Sequence, residues 1–268
     1  MNVLVTINKK YLEKMYVMIT SLLDNCKENV DIYVLANDVK EKDLSKLKIK
    51  ENGKFHLLHY TNETLDNAPT TKRYPSVIYY RLLAASFLPS SLDRVLYLDP
   101  DIIVLKDLSN LYNTRFYSSY FIGSSNVKRF LSKFNELKNK APKKSPYLNT
   151  GVLLINLKAL RKENVDQKIY EYLLKQKNLL TLPDQDILQG LYGDRVKLID
   201  NLKYNLSDRT INLYNLVHTN KKIDLSWVEK NCYIIHYFGR NKPWNDSYKG
   251  ILKKYYLKYL KEVKKYES

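Results

Sequence analysis

The chain has little cysteine, glycine and proline, and each of these shortages excludes a class of architecture. Cys26 and Cys232 are the only cysteines among 268 residues, too few for a disulfide framework. Seven glycines and eight prolines argue against long flexible linkers. No low-complexity tract or fixed-period repeat is visible. With 44% hydrophobic residues, the sequence predicts one large domain, or a domain with an appendage.

Long apolar runs are also missing. No apolar segment of about twenty residues occurs, so the sequence predicts no transmembrane helix. Residues 1–10 lack the basic head, long apolar middle and cleavage site of a signal peptide. We therefore expect reduced cysteines and a cytoplasmic location.

Acidic residues are scarce relative to basic ones. The chain has 45 lysines and arginines against 28 acids, a formal net charge of +17. Such an excess indicates an anionic partner: nucleic acid, anionic lipid or nucleotide phosphate. A soluble surface coated with lysine gives the same composition, so both interpretations stay open.

Apolar segments alternate between strand and helix patterns, which predicts an α/β fold with a mainly parallel sheet. The predicted strands are residues 3–7, 31–35, 54–60, 121–123, 147–156 and 232–236. The predicted helices are residues 11–23, a segment in the forties, 76–88, 164–176 and 184–191.

The most informative segment is an apolar run, residues 93–98, that ends in Asp99, Pro100 and Asp101. Carboxylates at i and i+2 point to the same side of an extended chain. Pro100 fixes the backbone between them and removes a donor. The pair is suited to a hard cation at the carboxyl end of a strand. An ordinary turn is the alternative, because Asp and Pro both favour turns.

A late apolar strand ends in His236, followed by Gly239 and Lys242. A lone histidine at a strand end is more often structural than a ligand. Here the glycine permits close backbone approach, and the lysine suits phosphate. Two carboxylates and one imidazole suit Mn²⁺, with Mg²⁺ a weaker fit, whereas Zn²⁺ usually takes more His or Cys.

The tail, residues 248–266, has a helical pattern with one apolar face and a lysine-rich remainder. The apolar face comprises Leu252, Tyr256, Tyr259, Leu260 and Val263. Such a helix suits an anionic membrane surface, which would make the protein peripheral on the inner face of the membrane. Packing on the protein's own domain fits the pattern equally. We expect a catalytic domain over residues 1–245 and a basic amphipathic helix over residues 246–268.

Five segments in this order resemble glycosyltransferase family 8, and are especially similar to bacterial lipopolysaccharide α-galactosyltransferases. They are residues 80–82, 95–101, 148–157, 183–188 and 236–244. The resemblance implies a GT-A fold, a mixed sheet flanked by helices, and a sugar-nucleotide donor, usually a UDP-sugar. It also implies a glycan, glycolipid or glycoprotein acceptor, and no nucleic acid.

The resemblance also assigns residues to roles. Asp99, Asp101 and His236 match the family's ligands to Mn²⁺, which holds the donor diphosphate. Gly239 and Lys242 match phosphate contacts, and Arg81 matches a donor contact. Those assignments agree with the chemistry, because a cation and a lysine stabilise charge on a departing diphosphate.

Three further positions, Asn149, Asp184 and Gln185, match residues that line the sugar and the reaction centre. The family retains anomeric configuration, and Gln185 occupies the place of a nucleophile. Since an amide is a poor nucleophile, we prefer front-face attack with Gln185 as electrostatic support. Capping of a helix N-terminus is the alternative role for Asp184, and more so for Asp186.

One departure from the family lies after the first strand, where an acid usually contacts uracil. Asn8 occupies that position, and its amide can still accept from a ring N–H. Thr6 and Tyr11 are the other residues that we expect at the nucleotide. Tyr11 could stack on the base, or it could pack inside the first helix.

The leading hypothesis is therefore a retaining hexosyltransferase that uses UDP-galactose or UDP-glucose. A basic nucleic-acid-binding protein and a metal-dependent phosphodiesterase are the alternatives. The first lacks a recognisable binding module, and the second usually needs more acidic or His ligands. Residues 112–147 are expected to contact the acceptor, although they show no interpretable pattern.

Overall fold

Nine strands organise the molecule in the computed structural model, which describes residues 1–61, 78–127, 129–176 and 179–267. They are β1 (Asn2–Thr6), β2 (Val30–Leu35), β3 (Gly53–Leu58), β4 (Arg94–Leu98), β5 (Ile102–Val104), β6 (Phe121–Ser124), β7 (Asn149–Asn156), β8 (Val196–Leu198) and β9 (Ile234–His236). Seven of them form one sheet in the order β3-β2-β1-β4-β7-β6-β8, and β5 pairs with β9 in a small second sheet.

Helices fill the connections between these strands. They are α1 (Leu12–Asn25), α2 (Glu41–Leu44), α3 (Ala84–Phe87), α4 (Ser109–Tyr112), α5 (Arg129–Lys138), α6 (Leu157–Leu160), α7 (Val165–Gln176), α8 (Pro183–Tyr192), α9 (Asn201–Tyr204), α10 (Asp208–Val217), α11 (Leu225–Asn231) and α12 (Lys253–Glu267). Short 3-10 turns occupy Lys9–Tyr11, Tyr80–Leu83 and Gly193–Arg195.

The main sheet contains both parallel and antiparallel strands, and these directions bring the ends of β1 and β4 to the same edge as the beginning of β7. Strands β3, β2, β1 and β4 run parallel, whereas β7 runs antiparallel to both β4 and β6. The beginning of β7 therefore lies at the edge of the sheet where β1 and β4 end. This arrangement confirms the predicted mixed α/β sheet flanked by helices.

Apolar side chains cover both faces of the sheet. Val3 and Val5 belong to one core and Leu4 to the other, and all three are fully buried. Alternation along an extended strand sends successive side chains to opposite faces. The strand is therefore apolar throughout, as strands of a sheet covered on both faces usually are.

The predicted helix over residues 76–88 is confirmed in part. Within the described residues the chain is helical over 80–87, first as the 3-10 turn Tyr80–Leu83 and then as the single turn α3. Its predicted cap, Ser76, lies outside the described residues. Other predicted elements shift by at most two residues at their ends, with two exceptions. The helix of the forties is the single turn α2, and the helix of the tail begins at Lys253 rather than at residue 248. No pattern in the sequence predicted β8, α5, α10 or α11.

The C-terminal helix α12 packs against α1 rather than standing apart. Leu252, Tyr256, Tyr259 and Val263 are buried in the same core as α1. The Tyr259 hydroxyl accepts a hydrogen bond from Asn25 of α1 at 2.9 Å. Of the two interpretations of this pattern, packing on its own domain is correct for the apolar face. The division of the chain at residue 245 stays a prediction.

Tyr237, which follows β9, ties this helix to the strand ends. Its hydroxyl donates to the Leu252 carbonyl at 2.9 Å, and its ring meets that of Tyr256 edge-on at 6.1 Å. Its backbone N–H donates to the Asp101 carbonyl at 3.0 Å. The tail and the Asp-Pro-Asp segment thus share one buried tyrosine.

Two sequence expectations about the whole chain can be compared with the described ranges. Cys26 and Cys232 are both buried and unbridged. Among the helices described, none has the combined length and hydropathy that a membrane span requires.

Asp186 is a buried anchor at the start of α8. Its carboxylate accepts hydrogen bonds from the backbone N–H groups of Thr181 and Leu182, at 2.7 and 3.1 Å. Asn139 donates to it at 3.0 Å, and Lys138 forms an ion pair with it at 3.0 Å. The capping interpretation of Asp186 is therefore correct, and the same carboxylate fixes the end of α5 to α8.

We predict that Asp186→Asn destabilises the fold by about 3 kcal/mol, because the substitution leaves the Lys138 charge without its buried partner. Urea unfolding followed by circular dichroism measures the change. Asp194→Asn is the matched control, since this exposed acid should contribute less than about 1 kcal/mol. Equal unfolding midpoints for the two variants would contradict the anchoring role.

Candidate functional site

Two carboxylates and one imidazole converge at the ends of three strands. Asp99 follows β4, Asp101 precedes β5, and His236 ends β9 opposite Ile102. The His236 Nε2 atom lies 3.2 Å from Asp101 Oδ1 and 3.7 Å from Asp99 Oδ2. The structure thus brings together the three residues that the sequence predicted as metal ligands.

Gly151 leaves room for this cluster. A Cβ atom on Gly151 would lie 2.2 Å from His236 Cε1 and 2.6 Å from Asp99 Oδ2. The pairing of β6 with β7 shifts register here, between Gly123 and Ser124. The sequence pattern of a glycine within a strand predicted a bulge or a close backbone approach. Both are present.

The three side chains fit a divalent cation. Within the described ranges they form a group whose ligand atoms, one from each residue, all lie within 4.8 Å of one another. Carboxylate oxygens suit Mg²⁺ or Mn²⁺, and an imidazole nitrogen favours the transition metal. The donor set and the space beside Gly151 are therefore those of a cation site.

His236 is held in one orientation by a chain of two asparagines. Its Nδ1 lies 2.9 Å from Asn205 Oδ1, and Asn205 Nδ2 donates to Asn149 Oδ1 at 3.0 Å. Since an amide oxygen only accepts, Nδ1 carries a proton, and the ring turns its Nε2 towards the carboxylates. Asn149, predicted at the reaction centre, thus supports the cluster, and sequence reasoning missed the fully buried Asn205.

Lys242 compensates the charge of Asp101. Its ammonium group forms an ion pair with Asp101 and donates to the Tyr237 carbonyl at 2.9 Å. Burial opposes ionisation of Asp101, but Lys242 and His236 outweigh it and hold the pKa of this carboxyl well below its usual range. Asp101 is therefore a carboxylate at any physiological pH.

Asp99 is positioned by a tyrosine that the sequence presented as an ordinary core residue. The Tyr97 hydroxyl donates to Asp99 Oδ1 at 2.7 Å, and Thr6 Oγ1 lies 3.0 Å from the same hydroxyl. Burial raises the pKa of Tyr97 well above its ordinary value, so the phenol keeps its proton. Thr6 is itself buried and contacts the cluster through Tyr97.

Arg81 joins the cation cluster to the predicted reaction centre. Its guanidinium lies 3.1 Å from Asp99 Oδ1 and 3.4 Å from Asp184 Oδ2. Thr150 donates to the same Asp184 oxygen at 2.6 Å. Burial raises the pKa of Asp184, and Arg81 and Thr150 offset only part of that rise. Gln185, the next residue along α8, is half-buried beside this pair.

The residues predicted to contact the nucleotide lie at the end of β1 and in the turn that follows it. The Asn8 Oδ1 atom is buried and has no hydrogen-bond partner among the described residues. Tyr11 ends the 3-10 turn before α1 and is 38% exposed, so it does not pack inside the helix. Its ring lies edge-on to Trp244, with centroids 6.2 Å apart.

Gly239 shapes the loop that follows His236. Its φ of +100° lies in a region that residues with a Cβ rarely adopt. The loop then returns Lys242 to Asp101. Gly239 therefore sets the backbone course that places the lysine at the cluster.

We predict that Gly151→Ala weakens divalent-cation binding at least about tenfold, because the added methyl group displaces His236 or Asp99. Titration with Mn²⁺, followed by electron paramagnetic resonance of the unbound ion, measures the affinity. Gly53→Ala is the matched control, since its Cβ would meet the flexible side-chain ends of Leu23 and Ile49, 2.6 and 3.2 Å away. An affinity in Gly151→Ala equal to that of the control would remove the glycine from the site.

Comparison with known proteins gives a consistent result. The family model described as Glycosyl transferase family 8 matches residues 2–248. A lipopolysaccharide 1,2-glucosyltransferase of Escherichia coli is 29% identical over 246 residues, covering 90% of this chain and 72% of the relative. A lipopolysaccharide 1,3-galactosyltransferase of Salmonella typhimurium is 26% identical over 207 residues, covering 73% of this chain and 57% of that protein.

Among solved structures, the galactosyltransferase LgtC in complex with donor and acceptor sugar analogues aligns with a TM-score of 0.84. The alignment covers 98% of this chain and 96% of that one, at 21% sequence identity. The likeness establishes the GT-A fold predicted from the sequence.

Proposed function

The chain belongs to glycosyltransferase family 8, and on that premise we propose that it is a retaining hexosyltransferase. It would move galactose or glucose from a UDP-sugar to a hydroxyl of a glycan, glycolipid or glycoprotein. The convergence of Asp99, Asp101 and His236 carries this proposal, because a sugar diphosphate leaves only when its developing charge is stabilised. The membership itself makes the protein a transferase with a nucleotide-sugar donor and a glycan acceptor.

Mn²⁺ is the proposed cofactor, with Mg²⁺ as the weaker fit to a site that includes an imidazole. Asp99, Asp101 and His236 would hold it. When bound, the cation would supply positive charge to the diphosphate leaving group. Lys242 already contacts Asp101, so its ammonium group lies beside the cation's ligand and would donate to a diphosphate oxygen. The backbone at Gly239 would contact the same group.

At the base, Asn8 and Tyr11 would recognise uracil. The buried Asn8 Oδ1 has no partner among the described residues, which is costly unless a ligand N–H supplies one. Tyr11 is exposed and would stack on the ring. Thr6 would act indirectly, through Tyr97 and Asp99.

At the sugar, Asp184 and Arg81 would orient hydroxyl groups of the donor, and Asn149 would line the site beside them. Gln185 is the residue that we place nearest the anomeric carbon. Since its amide is a poor nucleophile, the acceptor hydroxyl would attack from the face that the diphosphate leaves. The half-buried side chain of Gln185 would stabilise the positive charge that develops at the anomeric carbon.

The names of the relatives support a glycolipid acceptor, since two of them are lipopolysaccharide transferases. We propose a cytoplasmic enzyme that works at the inner face of a membrane. Because the apolar face of α12 is buried, that helix would contribute only its exposed lysines to such a surface. Nucleic acid is not among the proposed partners.

We predict that Asp101→Ala or His236→Ala lowers UDP-sugar turnover at least about a hundredfold, since each removes a proposed cation ligand. A hydrolysis panel with Mn²⁺ and UDP-galactose, UDP-glucose and UDP-N-acetyl sugars measures the rate. Thermal stabilisation by UDP that requires Mn²⁺ is expected for the unmodified protein and for the exposed-acid control Asp194→Ala, but not for Asp101→Ala or His236→Ala. Wild-type rates in either variant would remove that residue from the site.

Two further measurements on the same protein separate the alternative functions. Cleavage of a phosphate diester without sugar transfer would favour a phosphodiesterase. Salt-sensitive binding of an oligonucleotide without metal would favour a nucleic-acid-binding protein.

We further predict that Asn8→Ala weakens binding of UDP about tenfold in the presence of Mn²⁺, because one hydrogen bond to the base is lost. Asn8→Asp restores an acceptor at the same place and should retain the affinity. Isothermal titration calorimetry measures both. Equal losses in the two variants would argue against an acceptor role for this side chain.

A further inference from the structure

Helix α5 presents apolar side chains to solvent. Leu131, Phe134 and Leu137 are 48%, 60% and 75% exposed, respectively. Their spacing of three residues places them along one side of the helix. Contiguous exposed apolar groups of this kind usually mark an interaction surface.

The opposite side of α5 is the one that packs, and it is polar. Ser132 accepts from the backbone N–H of Tyr147 at 3.1 Å. Asn139, just beyond the helix, donates to Gln189 and to Asp186, each at 3.0 Å. Among the side chains of α5 that the structure describes, residues 131–138, the usual order of apolar inside and polar outside is therefore reversed.

Lysines are frequent in α5 and in the segment that follows it. Residues 131–144 contain five lysines and a single acid, Glu136. Four of these lysines are exposed: Lys133, Lys140, Lys143 and Lys144. The fifth, Lys138, is paired with Asp186. The surface thus combines exposed apolar groups with uncompensated positive charge.

We propose that this surface, the α5 patch (Leu131, Phe134, Leu137, Lys133, Lys140, Lys143 and Lys144), docks on an anionic lipid bilayer. Apolar side chains inserted among headgroups and lysines near their phosphates are what interfacial helices use. The charge complementarity favours a bilayer over a second copy of this chain, whose net charge of +17 would repel it.

The patch, rather than the C-terminal helix, is the element available for insertion. The apolar residues of α12 are buried against α1, and inserting them would open the core. Leu131, Phe134 and Leu137 of α5 are already exposed, so their insertion costs no packing within the protein.

The position of α5 also relates the patch to the reaction centre. Asp186 holds the end of α5 and lies two residues after Asp184 on α8. A bilayer under the patch would therefore lie close to the proposed sugar site. This step rests on the proposed function, and it deepens the proposal of a glycolipid acceptor.

Vesicle sedimentation with the full chain tests the inference. The vesicles contain phosphatidylethanolamine and phosphatidylglycerol at about 3:1, or phosphatidylcholine alone, in about 0.1 M salt. We expect binding to the anionic vesicles, and at least about a tenfold weaker partition coefficient for F134S/L137S. The matched control L213S/L216S removes two leucines of α10 that are 47% and 77% exposed, and should bind like the unmodified chain.

A second pair of variants separates the two basic surfaces. K143Q/K144Q removes two charges from the α5 patch, and K258Q/K261Q removes two from α12. We expect the first pair to weaken binding more than the second. In F134W, the tryptophan emission should shift to the blue on anionic vesicles, whereas that of L216W should not.

Four results would overturn the inference. They are absence of binding to anionic vesicles, equal binding by F134S/L137S and its control, a larger loss in K258Q/K261Q, and a dimer in sedimentation velocity that F134S/L137S abolishes. UDP-sugar hydrolysis by F134S/L137S should match that of the unmodified chain. Hydrolysis without vesicle binding would reject the patch alone, and vesicle binding without hydrolysis would reject the proposed function alone.

Discussion

The structure depends on the neutralisation of three carboxylates that lie close together with little exposure to water. Asp99, Asp101 and Asp184 meet where strands end, with little access to water. Their mutual repulsion is balanced by two basic side chains from distant parts of the chain. Arg81 bridges two of the acids, and Lys242 pairs with the third. The protein thus supplies its own counter-ions, and a diphosphate with its cation would enter a preformed pattern of alternating charge.

Much of this site could be predicted because buried strands are easily recognised from sequence. An apolar run that ends abruptly in a charged residue marks a strand end, and strand ends are where α/β sheets bind ligands. Asp99, Asp101 and His236 all carry that signal. Their proximity could be expected only through the family resemblance, because the pairing of β5 with β9 joins segments that are far apart in the chain.

The supporting residues carried no such signal, for physical reasons. Tyr97 sits within an apolar run, so its hydroxyl is indistinguishable in sequence from that of a core tyrosine. Asn205 follows the single helical turn α9, in a segment without periodicity, and it acts only through His236. Helix α5 was missed because Leu131, Phe134 and Leu137 point outward while Ser132 and Lys138 make contacts with the protein, the reverse of the pattern on which helix prediction relies.

Tyr237 gives the C-terminal helix a role that its composition does not suggest. Its hydroxyl is bound to the start of the tail, while its backbone holds Asp101. The tail therefore supports the Asp-Pro-Asp segment through this tyrosine. A shortened protein without its last helix would lose that support, and any fall in its catalytic rate would report a loosened active site rather than a missing contact with acceptor or membrane.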